Sequence, residues 1–372
     1  MNSKERIDAA VALEQSDRVP VAPLLDHFAA TYSGYTNAEI MSNGNKRIEA
    51  VLKTAKDLGP WDMTFLADTA NAGMLKMGVP MKLKQPGIEL SDNEIHQFDE
   101  NEFLKPVDYD LLEQMGAFRF MWKVLGRNYP EWKGLKALSP LISIFREYRK
   151  HARMVTKEGI EVAAGFIHPG VLYDYFSFGR SISGISTDTF RLSDKIISAG
   201  KIWAYGTADM AIRAARYTGV PRIFIGMARS SPEFISIKNF DRLVLPGLNI
   251  MVKKFIDAGI TPLFHCDTNW TKFLELFKGF PAGKCILEVD GKTDIFKAKE
   301  ILNGHMCIMG DVPADLLVRG SRGDVLSYCK KLIDIVGKGG GFILSSGCSI
   351  PANPKVENVR AIMESAEKWG RY

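Results

Sequence analysis

Eight short apolar runs, bounded by turn residues and mostly separated by longer amphipathic stretches, constrain this chain more than any other feature. They are Val19–Leu25, Met63–Ala67, Val162–Ile167, Arg222–Gly226, Ile260–Phe264, Lys284–Val289, Met306–Gly310 and Gly341–Ser345. Runs of this length suit strands buried on both faces, and such strands belong to parallel sheets covered by helices. Helical periodicity over Arg47–Leu58, Asp188–Arg216, Leu243–Asp257, Trp270–Phe277, Asp294–Leu302 and Ser321–Val336 supplies the connections. Eight strands with intervening helices predict an α/β fold, the (β/α)8 barrel.

The spacing breaks its rhythm once. About 90 residues separate the second and third runs, too many for one crossover helix. The middle of that gap, Lys82–Leu111, predicts a β-rich excursion near the barrel mouth. With no linker or repeat elsewhere, the expectation is one domain over 1–372 with an insertion around 82–111, closed by a helix within Pro354–Tyr372.

Composition narrows the function. At 46% hydrophobic and 24% charged residues, the 372-residue chain has the material for a large core. Its apolar stretches are broken well short of the roughly 20 residues a membrane span needs, so no membrane partner is expected. The charged stretch Met1–Arg18 lacks an apolar signal core and predicts a cytoplasmic protein. A net charge of +5 with no long basic run gives no nucleic-acid partner. Five cysteines without a CxxC pair exclude a zinc ribbon, and their odd number argues against a disulfide framework.

In such a barrel, chemistry gathers where the strands end. Here those ends carry Asp26 and His27, Asp68, His168, His265 with Cys266 and Asp267, Glu288 with Asp290, Asp311, and finally Cys348. His, Cys and carboxylate are zinc ligands, and a three-residue site leaves a position open for substrate. His265 and Cys348 are the leading ligand candidates, with Asp267 or Glu288 completing the set. Strand alternation favours Asp267 over Cys266, because Asp267 shares the face of His265. The aromatic segment Tyr173–Arg180 offers either a stacking surface or helix packing. Cys285, Cys307 and Cys329 read as core residues, Lys338 and the three glycines after it as a tight turn, and His96 and His151 as surface side chains.

Four segments carry a resemblance: DRVPVAPL at Asp17–Leu24, FHCDTNW at Phe264–Trp270, DVPADLLVRGSRGDV at Asp311–Val325, and GFILSSGCSIPANPKVENVRAI at Gly341–Ile362. Together they resemble the uroporphyrinogen decarboxylase superfamily, whose members are single (β/α)8 barrels. The decarboxylase branch grips its tetrapyrrole carboxylates with arginines after the first strand. The matching segment here, LLDHFAATYSGYT, has none and presents Asp26, the wrong sign of charge. The corrinoid-linked methyltransferase branch binds zinc through His-x-Cys and a distant Cys in a GC segment. This sequence is similar at His265 and Cys348, with Asp267 in the middle place.

The resemblance implies methyl transfer between a small methylated substrate and the cobalt of a corrinoid held by a partner protein. The chain itself lacks the DxHxxG segment that supplies a cobalt ligand. Zinc on His265, Asp267 and Cys348 would be the Lewis acid. An oxygen ligand makes it harder than a second thiolate would, which suits an oxygen-bearing donor such as a methyl ether. Proton delivery falls to His168, Glu288 or Asp290, while Asp26, His27, Asp68 and Tyr173 shape the substrate pocket. A thiol methyltransferase of the coenzyme M type and a uroporphyrinogen decarboxylase are the alternatives.

Overall fold

The computed structural model describes all 372 residues. Each of the eight runs supplies one strand position. Six parallel strands lie side by side in chain order: Phe166–His168, Arg222–Met227, Thr261–Cys266, Ile286–Val289, Cys307–Val312 and Phe342–Ser346. Met63–Thr64 pairs in parallel with Glu161–Val162, at the start of the third strand. The first run closes the ring. Ala22 donates its amide to Leu344 O at 2.9 Å, Leu344 donates to Pro20 O at 2.9 Å, and Asp62 donates to Val21 O at 2.8 Å. Pro20 and Pro23 lack amide hydrogens, so this position pairs by isolated bonds rather than a full ladder. The result is a (β/α)8 barrel.

Alternation divides the side chains between two apolar clusters. An interior cluster of 12 includes Ala22, Met63, Phe65, Leu263, Ile286, Met309 and Ile343. Ile7 and Ala10 of the N-terminal helix Ser3–Val11 join it and plug the barrel floor. The outer cluster of 89 residues lies between strands and helices. Because the interior is filled below, the polar strand ends above are left to line a mouth.

The segment between the second and third strands differs from the β-rich expectation in its later part. Leu83–Lys84 pairs antiparallel with Gln97–Phe98, but Val107–Met115 is helical, with Asp108 and Asp110 in its first turn. Acidic residues there complement the helix dipole, and that local signal outweighs the β pattern before it. Two other helical readings shift. The helix expected over Asp188–Arg216 is two, Leu172–Arg191 and Ser193–Thr218, broken at Leu192. The one expected at Trp270–Phe277 is a 3-10 turn, Thr271–Gly279. No helix is long and apolar enough to cross a membrane.

Candidate metal centre at the barrel mouth

His265 lies two residues beyond Leu263 of the interior cluster, so alternation turns its ring inward. Asp267 follows on the same face, while Cys266 packs into the outer cluster. Cys348 arrives from the eighth strand. Its Sγ lies 3.7 Å from His265 Nε2 and 4.0 Å from Asp267 Oδ1, and the His265–Asp267 separation is 3.1 Å. The three donor atoms all lie within 4.8 Å of one another. Zinc bonds of about 2.0–2.3 Å at tetrahedral angles separate their donors by roughly 3.3–3.8 Å, so this set fits zinc.

Glu288 stands beside His265 in register on the sixth strand, and its Oε2 meets His265 Nδ1 at 2.8 Å. That contact leaves Nε2 to the cluster, the arrangement by which a carboxylate orients a metal-binding histidine. Of the two candidates for a third ligand, the geometry therefore takes Asp267 and puts Glu288 behind the ring. Burial would lower the His265 pKa, but Asp267 and Glu288 outweigh burial and raise it well above the usual value. Burial likewise opposes ionisation of Asp267, yet His265 holds that carboxyl below its ordinary range. Glu288 is fully buried, and burial pushes it up. Its Oε1 has no partner.

The loop after Asp267 is locked from several sides. Thr268 has a left-handed backbone, φ 68°, a conformation that costs a β-branched residue on the order of 1–3 kcal/mol. Its amide donates to Asp290 Oδ2 at 2.7 Å, its hydroxyl meets Ser231 Oγ at 2.7 Å, and Thr293 Oγ1 donates to its carbonyl at 3.1 Å. Trp270 Nε1 donates to Asp267 O at 2.7 Å. On the other side, a Cβ at Gly347 would stand 2.6 Å from Asp290 O. Glycine there lets Cys348 come close.

The remaining residues singled out in the sequence fall into two groups. Asp26 and His27 are buried at the mouth beside the centre. Asp26 Oδ1 accepts from the Thr69 amide at 3.2 Å, and its other oxygen accepts from Ser349, next to Cys348. Burial raises the Asp26 pKa. Asp68, next to Thr69, is buried with neither carboxylate oxygen partnered, and burial together with Asp26 pushes it up to about 7.

The other group serves different ends from those expected. His168 is paired in register with Ile225 of the outer cluster, so it faces the helices, 6.1 Å from the Phe255 ring. Burial lowers it to about 3, and as a neutral outward ring it cannot deliver a proton to the mouth. Asp290 spends both oxygens on loop amides, Thr268 at 2.7 Å and Lys292 at 2.9 Å. Tyr173 is 3% exposed, with its hydroxyl 3.4 Å from Thr189 Oγ1, so it packs within its helix's surroundings rather than stacking on a ligand. Asp311 meets the Tyr328 hydroxyl at 2.9 Å in a separate cavity of about 690 Å3, which also takes in Asn269, Lys292 and Asp294 but none of the cluster.

Three residues depart from or go beyond the sequence expectation. His151 is buried at 3% exposure. His96 is no free surface side chain: its Nδ1 lies 3.0 Å from His27 Nε2, and burial with His27 lowers it to about 4. The spacing His96-x-Phe98 on a strand was the available signal. Asp174 accepts from the amides of Ala228, Arg229 and Ser230 at 3.1, 2.8 and 3.0 Å and ties the fourth loop. Burial raises it to about 6 despite those bonds.

Residues 206–369 match the family model described as Uroporphyrinogen decarboxylase (URO-D). Among solved structures the chain is similar to a methyltransferase from Methanosarcina mazei, at 16% sequence identity and a TM-score of 0.72, over 99% of each chain. No curated protein matches.

Proposed function

We propose that this chain belongs to the uroporphyrinogen decarboxylase superfamily and is a methyltransferase that moves a methyl group between a small methylated substrate and the cobalt of a corrinoid carried by a partner protein. The observation that carries this reading is the convergence of His265 Nε2, Asp267 Oδ1 and Cys348 Sγ at the mouth. Zinc held by these three would polarise the substrate heteroatom as a Lewis acid. An oxygen donor in the set keeps a methyl ether among the favoured substrates.

The chain's own residues have separable tasks. Glu288 fixes the tautomer and direction of His265, so that Nε2 is presented to the cluster. Its free Oε1, raised by burial, is the buried carboxyl placed to hold a proton near the reacting groups. Thr268, Asp290 and Trp270 keep Asp267 from moving with its loop. Asp26 and His27 form the adjoining wall on which a small substrate would rest. No arginine lies in the helix that follows the first strand, His27–Ser33, which disfavours a polyanionic tetrapyrrole.

The test is spectroscopic. The purified chain with a reduced corrinoid protein should give a methylated corrinoid from at least one donor among aryl methyl ethers, methylated amines, methanol and methyl thiols, and should form no coproporphyrinogen from uroporphyrinogen. Silence across the panel with a competent corrinoid partner would overturn the methyltransferase reading. Activity with coenzyme M alone would shift it to a thiol methyltransferase.

A further inference from the structure

The hairpin inserted after the second strand reaches back to the end of the first strand, where His96 meets His27. Its strand Gln97–Phe98 continues an alternation in which Ile95 and Gln97 are exposed while His96 and Phe98 turn inward. On that inner face His96 Nδ1 meets His27 Nε2 at 3.0 Å, and His27 Nδ1 meets Asn37 Oδ1 at 2.9 Å. Both nitrogens of His27 are thereby engaged, and the residue is only 4% exposed.

The hairpin tip is latched to the loop after the first strand by contacts that carry no ion pair. Asn37 Nδ2 donates to Asn93 O at 2.9 Å and Glu94 O at 3.2 Å, and the Ala38 amide donates to Asp92 O at 2.9 Å. At Gly87, φ is +79° and an added Cβ would stand 2.8 Å from Ala38 Cβ, so glycine permits the close approach of tip and loop.

The hairpin's base is anchored differently. Leu83 donates its amide to the Tyr129 hydroxyl at 2.9 Å. Just beyond the second strand, Glu100 pairs with Arg229 at 2.8 Å, Glu102 pairs with Arg180 at 3.0 Å, and Leu104 donates to Gly179 O at 2.7 Å. A firmly tied base and an exposed tip held by a few hydrogen bonds form a segment able to open locally while the barrel stays folded.

We infer that residues 85–98 are a lid over the part of the mouth beside the first strand, latched on His27, Asn37 and Ala38, and that its opening admits small molecules to the wall beside the metal centre. His27 follows Asp26, which accepts from Ser349 next to Cys348, so the space uncovered adjoins the cluster. The lid stands whichever group the enzyme transfers.

Diethylpyrocarbonate at neutral pH, with carbethoxylated histidines quantified by mass spectrometry, reads the opening without any activity assay. His305, half-buried at the opposite end of the barrel, is the internal reference. Gly87→Ala wedges the tip from Ala38 without touching the histidines, and His27 modification should rise roughly ten-fold relative to His305. Oxidised Ala38→Cys with Asp92→Cys locks the tip, and the same rate should fall about ten-fold or more below that of the native chain, with recovery in reductant. An unchanged rate in either variant, with His305 reacting normally, overturns the lid.

Discussion

The strands of the second half of the barrel, Thr261–Cys266, Ile286–Val289 and Phe342–Ser346, end in side chains that face one another: His265, Glu288 and Cys348 converge on the axis. In the first half, the strand ends are spent on joining loops or stand beneath the inserted hairpin, as with Asp26 on Thr69, His27 on His96, and His168 turned outward. The family model covers 206–369, which contains the whole donor set and none of the hairpin. The difference assigns the two halves different work. The second half gathers the donor cluster beside a tightly held loop, and the first carries the inserted hairpin, which contributes none of those donors.

The largest effect should come from the donors themselves. His265→Ala and Cys348→Ala are expected to lose bound zinc by elemental analysis and to abolish methyl transfer, because a three-residue site cannot spare a ligand. His27→Gln, in the other half, should keep full zinc stoichiometry and raise KM. Equal loss of zinc in that variant would break the division.

A smaller loss is expected from Glu288→Gln, which keeps the shape but not the carboxyl behind His265. Zinc affinity should fall about 10- to 100-fold in competition with a chromophoric chelator. Because His265 binds a proton far more readily than a free imidazole, metal and proton compete at its ring. Zinc affinity of the native chain should therefore weaken as pH falls, and an affinity insensitive to pH would place the metal elsewhere.

Stability should respond to pH through the first half. The folded Asp68 carboxyl sits at about 7, above the ordinary unfolded value of about 3.9. A group raised in this way favours the fold fully at low pH, and that contribution is lost as pH rises toward 7 and ionisation strands a buried charge. Asp68→Asn should flatten this dependence and raise the melting temperature relative to the native chain at about pH 8, measured by calorimetry. A parallel pH profile in both proteins would show that Asp68 ionises at no cost.

The smallest effect belongs to Tyr173→Phe. Losing one long hydrogen bond to Thr189 should cost about 1 kcal/mol or less in urea unfolding and leave kcat and KM unchanged. A large rise in KM would return Tyr173 to the substrate pocket.

What the sequence determined by itself was periodic or chemical. Two-sided burial of the eight runs specified their strands, and the two-residue alternation put Asp267 rather than Cys266 on the face of His265. The residue types at His265 and Cys348 marked them as candidate donors, and the structure brings their atoms together with Asp267. The tertiary structure decided what depends on register and ring closure. The broken third strand gave no register in sequence, so only its pairing with Ile225 revealed that His168 faces outward. Asp290 and Glu288 are two residues apart on the same chain, yet one caps a loop and the other orients His265. His27 and His96, 69 residues apart, meet because the hairpin folds back over the mouth. Side-chain identity is local, but a side chain's partner is fixed only when distant segments are packed together, and at this mouth the partner decides the role.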